Sequence, residues 1–150
     1  MDKPDRKSWD TAALPVGEAK AVAVRQMFDT IAPRYDLVNR IMTFRLDVRW
    51  RRSTVAALAL GDGALVLDVA SGTGDLCREL SRQRLQPLSC DFSFGMLAAD
   101  TSHAPRVQSD AQRLAIRTGG VDGITCGFAL RNFVDLSALF AELARVVRPG

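Results

Sequence analysis

The stretch Ala64-Leu65-Val66-Leu67-Asp68-Val69-Ala70-Ser71-Gly72-Thr73-Gly74-Asp75-Leu76 decides the fold. Its first half follows the turn signal Gly61-Asp62-Gly63 and is a short, nearly continuous apolar run, the composition of a strand buried on both faces of a parallel sheet. Its second half is a glycine-rich loop, and a helix is expected to follow from Asp75 to about Arg84. Further along, Pro87 to Asp91 reads as a second strand, Phe94 to Asp100 as a helix, Pro105 to Gln108 as a brief third strand and Val121 to Phe128 as a fourth. Leu136 to Val147 is an amphipathic helix closed by Pro149-Gly150. Strands alternating with helices predict a doubly wound α/β sheet over residues 61–150. Upstream, Ala21, Val24, Met27, Phe28 and Ile31 recur at helical spacing until Pro33, and two further helical stretches run through Tyr35 to Met42 and from about Asp47 to Leu60. Residues 16–60 are therefore expected as a helical cover, preceded by a polar, flexible lead-in over residues 1–15.

The 150 residues are 47% hydrophobic and 25% charged, the makeup of one ordinary globular domain. A formal charge of +3 is too small an excess to indicate a nucleic-acid surface. Cys77, Cys90 and Cys126 are odd in number and widely spaced, which argues against a disulfide framework or a zinc site and fits a reducing cytoplasm. No run reaches the roughly 18 apolar residues of a membrane span, and no signal-peptide pattern opens the chain.

In doubly wound sheets ligands bind outside the carboxyl ends of the strands, so the Gly72-Thr73-Gly74 loop is the expected cofactor site. A dinucleotide fingerprint needs a third small residue three positions after Gly74, and Cys77 stands there. Asp68, just ahead of the loop, would repel a pyrophosphate but suits the ammonium end of S-adenosyl-L-methionine, directly or through water. Asp91, ending the second strand, is placed to accept ribose hydroxyls, and Asp110 with Ala111 after the third strand to read an adenine edge.

Phe28-Asp29-x-Ile31-Ala32-Pro33-x-Tyr35-Asp36, Asn39, Trp50, the Asp68 to Leu76 loop, Asp91-Phe92-Ser93, Met96-Leu97, Asp110-Ala111, Phe128-Ala129-Leu130-Arg131-Asn132 and Arg145 to Gly150 together resemble the ubiquinone/menaquinone biosynthesis C-methyltransferase (UbiE/MenG) family from about residue 23 onward. The resemblance implies a Rossmann-like class I methyltransferase sheet, with S-adenosyl-L-methionine as cofactor and a polyprenyl quinol as substrate. It implies the step from demethylmenaquinol to menaquinol, and in some members the matching step on a methoxy-polyprenyl-benzoquinol. The family's cofactor contacts fall on Thr73, Asp91, Asp110 and Ala111. Where the family has a serine before the Phe-x-Leu-Arg-Asn block this chain has Gly127, and where the N-terminal pattern has Met, Ser and His it has Val38, Thr43 and Asp47.

Methylating a quinol ring carbon calls for a general base to take the phenol proton, and Tyr35, Asp36 and Asp47 are the polar candidates in the helical cover, with Arg131 and Asn132 facing them from after the fourth strand. His103, in a polar loop, is expected on the surface. Arg40, Arg45, Arg49, Arg51 and Arg52, set among Ile41, Met42, Phe44 and Trp50, describe either a solvated helix face or a surface for anionic headgroups at the inner face of a membrane. Related methyltransferases order their strands 3-2-1-4-5-7-6, so the chain is expected to hold the first four strands of a longer reading frame, its fourth strand an unpaired edge. A methyltransferase acting on another small molecule, and a non-catalytic Rossmann-like binding module, are the competing readings.

Overall fold

A computed structural model describes residues 16–32 and 46–150, with Leu46 and Asp47 described by backbone alone. The lead-in, the candidates Tyr35 and Asp36, and Asn39, Arg40, Thr43 and Arg45 lie outside the described residues, as does the side chain of Asp47.

The apolar run forms the strand β1 (Leu65–Val69), and β2 (Gln86–Asp91), β3 (Arg106–Gln108) and β4 (Gly123–Thr125) join it in one sheet of order β3-β2-β1-β4. All pairings are parallel, with Leu67 opposite Leu88 and Ile124. The chain is thus a doubly wound α/β sheet, as its alternation of periods predicts. Side chains alternate along β1, and both faces are buried because helices cover both. Leu67 and Val69 point into a core shared with Val121, Leu139 and Val146, the last two from α5 (Leu136–Val146). Val66 points the other way, into a core with Leu76 and Leu80 of α3 (Asp75–Arg82) and Val55 of α2 (Leu46–Ala56). The remaining helices are α1 (Gly17–Ile31) and α4 (Phe94–Ala99), which pack on one another.

Helix ends follow local chemistry. Ser93 caps α4 by accepting the amide of Met96 at 3.1 Å, and Asp135 caps α5 by accepting that of Ala138 at 3.0 Å. The helix expected to reach Leu60 ends at Ala56, where a turn through the left-handed Ala59 sends Leu58 and Leu60 back into the core under α2. The fourth strand, expected from Val121 to Phe128, is only three residues long. Val121 bridges to Val147 instead, in parallel, and beyond Thr125 the chain leaves the sheet with Phe128 in the left-handed region. No helix among the described residues is long and apolar enough to cross a membrane.

Candidate functional site

A cleft of about 150 Å³ opens beyond the carboxyl ends of β1, β2 and β3. Its floor is the strand ends, Val69, Ala70, Cys90 and Asp91; one wall is Ser109 to Gln112, the other Gly127 to Ala129 with Asn132, Phe133 and Val134. Its roof is α1, through Ala21, Val24, Arg25 and Phe28. This explains why the apolar stripe of α1 is only half-buried: it covers an open cleft rather than a closed core. The lining is mainly apolar with a few convergent polar groups, the usual character of a small-molecule site. Ala70 and Phe128, both in the lining, are non-glycine residues held at φ 53° and 58°, local strain of the kind that gathers at binding loops.

Asp91 is the polar centre of the floor. Its Oδ2 accepts the amide of Gly72 at 2.8 Å and its Oδ1 the amide of Ser93 at 2.8 Å. Backbone amides thus hold the carboxylate in place on the cleft floor. Burial raises the Asp91 carboxyl above the usual range, opposed by those amides. Asp110 and Ala111 both line the cleft; Asp110 shapes its turn by accepting the amide of Gln112 at 2.9 Å, and Ala111 is buried beside it.

Of the glycine loop, Gly72 lines the cleft and Thr73 and Gly74 do not. Thr73 is buried, and its carbonyl accepts Arg78 Nη1 at 3.0 Å. Gly74 is needed for a different reason from the one its motif suggests: at φ 84°, a Cβ there would lie 2.6 Å from Asp100 Cγ and 2.8 Å from Ser102 Cβ. The close approach is to the protein's own 100–102 turn. Asp68 is also withdrawn, 1% exposed, accepting Thr125 Oγ1 at 2.7 Å and the Cys77 thiol at 3.6 Å. Burial pushes its carboxyl up to about 7, and the neighbouring Asp91 and Asp100 charges add to this. Asp68 is not among the residues that line the cleft. Cys77, where a dinucleotide site needs a small residue, fills the interface between α3 and the sheet, its thiol raised by burial.

Asn132 lines the cleft, whereas the exposed Arg131 beside it in the 3₁₀ turn Leu130–Asn132 is not among the lining residues. Gly127 lines it too, and a Cβ there would meet Leu76 Cδ1 at 2.9 Å. Phe128 is 67% exposed, with its ring 6.0 Å from that of Trp50, which is 51% exposed. His103 is exposed, as expected. Of the five arginines, Arg51 is committed to Asp75 at 2.7 Å, while Arg49 and Arg52 are exposed.

Sequence reasoning missed Asp29, which ties α1 to the cleft. Its Oδ1 accepts both the Ser93 hydroxyl and the Gly95 amide, the latter at 2.9 Å, and these bonds hold its carboxyl below the usual range. Arg25 one turn earlier lies over the Phe92 ring at 5.3 Å. The signal was present in Phe28-Asp29, but nothing local distinguishes a carboxylate that reaches a distant helix from one that faces solvent.

The model of the ubiE/COQ5 methyltransferase family matches residues 15–150. The chain is 44% identical over 128 residues to a demethylmenaquinone methyltransferase of Mycolicibacterium paratuberculosis, covering 85% of this chain and 56% of that protein. It is 46% identical over the same length to the demethylmenaquinone methyltransferase of Mycolicibacterium gilvum, again 85% and 56%. The chain thus spans about half the length of the curated relatives it matches. Among solved structures, a methyltransferase from an antibiotic biosynthesis pathway of Anabaena variabilis superposes with a TM-score of 0.64 at 26% identity, over 67% of this chain and 42% of that one. The Haemonchus contortus phosphoethanolamine N-methyltransferase 2, solved with S-adenosylhomocysteine, gives 0.63 at 20% identity, over 68% and 26%, a likeness of fold.

Proposed function

Because the chain belongs to the ubiE/COQ5 methyltransferase family, we propose that it forms the donor-binding part of an S-adenosyl-L-methionine-dependent C-methyltransferase that converts demethylmenaquinol to menaquinol. The observation that carries this reading is the carboxylate of Asp91 at the carboxyl end of β2, held on the cleft floor beside the glycine loop by the amides of Gly72 and Ser93. Negative charge at that place disfavours a pyrophosphate and favours a cationic ligand. The relatives named demethylmenaquinone methyltransferase support the choice of acceptor.

Asp91 is the proposed acceptor for the ribose hydroxyls, already oriented by two amides, and Asp110 with Ala111 the proposed adenine contacts. Gly72 gives the donor a wall without a side chain; Thr73 and Gly74 act by shaping that loop. The bound donor supplies a methyl group on a sulfonium, whose carbon–sulfur bond breaks as the ring carbon takes the methyl. The protein's own work is to orient the two partners and keep water out, and the apolar roof of Val24 and Phe28 serves the second task. Tyr35, Asp36 and Arg131 remain the proposed groups for handling the quinol proton.

Labelled S-adenosyl-L-methionine incubated with the full protein and demethylmenaquinol should yield labelled menaquinol. Transfer to another small acceptor, with none to the quinol, would favour the alternative that the Gly127 wall invites. Retention of donor binding after substitution of both Thr73 and Asp91 would favour a non-catalytic binding module. Peripheral membrane contact is proposed at the exposed Trp50 and Phe128 with Arg49 and Arg52; co-sedimentation with vesicles that does not change with their anionic lipid content would overturn it.

A further inference from the structure

One transverse row of the sheet is polar on all four strands. Arg106 lies opposite Ser89, Ser89 opposite Asp68 and Asp68 opposite Thr125, on β3, β2, β1 and β4 in turn. Ser89, Asp68 and Thr125 are all buried, between apolar residues above and below, in a position where polar groups cost stability unless fully paired. They are paired, Thr125 with Asp68 and Ser89 with Asp100, and the Ser89 pair leads to the glycine loop. The Asp100 side chain, 0% exposed, accepts the Ser89 hydroxyl at 2.7 Å on Oδ2 and the Ser102 amide at 2.6 Å on Oδ1. With its one proton committed to Asp100, the Ser89 oxygen accepts the Ser71 hydroxyl at 2.8 Å. Ser71 immediately precedes Gly72, whose amide holds Asp91. The same turn supports the rest of the loop: the Thr101 amide donates to the Thr73 carbonyl at 3.3 Å, and Gly74 packs against the Asp100 carboxylate.

We propose that Asp100 and Ser89 are positioning residues: a buried strut, Ser71 to Ser89 to Asp100, that sets the glycine loop from behind and so fixes the Gly72 amide and the Asp91 carboxylate for the donor. This rests on the reading of the cleft as the S-adenosyl-L-methionine site. Neither residue reaches the cleft, so their effect is on affinity through the loop. Such a strut also explains why Ser89 is polar, since a purely structural position at this depth would be served by the Val and Leu residues found elsewhere in the sheet.

Calorimetric titration of the full chain with S-adenosyl-L-methionine and with S-adenosylhomocysteine tests this. Ser89→Ala and Asp100→Ala should each weaken both ligands about tenfold, the scale of one lost buried hydrogen bond. Asp100→Asn should stay within about threefold of wild type, because its amide can donate to Ser89 while its oxygen accepts Ser102, reversing the direction of the strut without breaking it. That rescue separates positioning from charge: equal losses in the Asn and Ala variants, or no loss in any, overturn the strut. If Asp100→Ala does not fold, Ser71→Ala cuts the same chain at its half-buried end and should show the same loss with an unchanged thermal midpoint; unchanged affinity there overturns the proposal. Wild-type protein that binds neither ligand overturns the cofactor reading and this inference together, whereas wild-type binding with indifferent variants overturns the strut alone.

Discussion

Beneath the glycine loop Asp68 keeps its proton to about pH 7, because desolvation outweighs the hydrogen bonds from Thr125 and Cys77. The unfolded chain gives that proton up near 3.8, so the native state is favoured in full below that value and loses the advantage as pH rises through 7. Across that window the loss is about 4 kcal/mol at most. The thermal midpoint should therefore fall between about pH 5 and about pH 8, and Asp68→Asn should flatten the profile; a wild-type midpoint constant over this range would contradict the burial argument. At Asp91 the expected effect is on ligand rather than fold. Removing its carboxylate in Asp91→Ala deletes the two acceptors oriented by Gly72 and Ser93, and donor affinity measured by calorimetry should drop about a hundredfold, the scale of charge-assisted bonds. Both residues could be found in the sequence by their places at strand ends. What could not be read there is that one turns inward and the other toward the cleft, since that depends on which face of β1 and β2 the neighbouring helices occupy.

Among the elements, α1 is lightly held. None of its residues is buried, and its polar attachment to the sheet layer is Asp29 on Ser93 and Gly95, supported by Arg25 over Phe92. An element so attached opens at small cost. Asp29→Ala should accelerate hydrogen exchange along residues 17–31 by about tenfold or more while amides of β1 and β2 keep their protection, and donor dissociation should quicken. Equal protection of α1 in both proteins would show that its apolar contacts alone hold it. The helical period of α1 was legible from Ala21, Val24, Phe28 and Ile31, whereas its role as a roof was not, because a stripe facing a cleft has the same spacing as one facing a core. β4 gives the converse lesson. Its apolar run reads as eight residues, yet three pair, since Val121 is taken by Val147 and the chain turns away from the sheet toward the left-handed Phe128.

For the molecule as a whole, α5 leaves Leu136 and Phe140 in solvent, 44% and 54% exposed. Exposed large apolar side chains on one helix promote association. Phe140, 54% exposed, contributes little to the core, so Phe140→Ser should cost about 1 kcal/mol or less and reduce concentration-dependent light scattering of the chain. Unchanged scattering would place the association elsewhere. The class of fold, the glycine loop and the acidic residues at the strand ends were legible in the chain itself, because hydrophobic period, turn chemistry and motif spacing are local properties, whereas the strand order came from the family resemblance. Which of those residues reach the cleft was settled by packing: Gly74 makes room for Asp100, Asp68 is sealed below, Arg131 lies outside the lining while Asn132 is in it, and Ser89 on β2 joins the glycine loop to Asp100. Those facts depend on sheet register and on which helix covers which face, and residues brought together across a parallel sheet are separated in the chain by tens of positions.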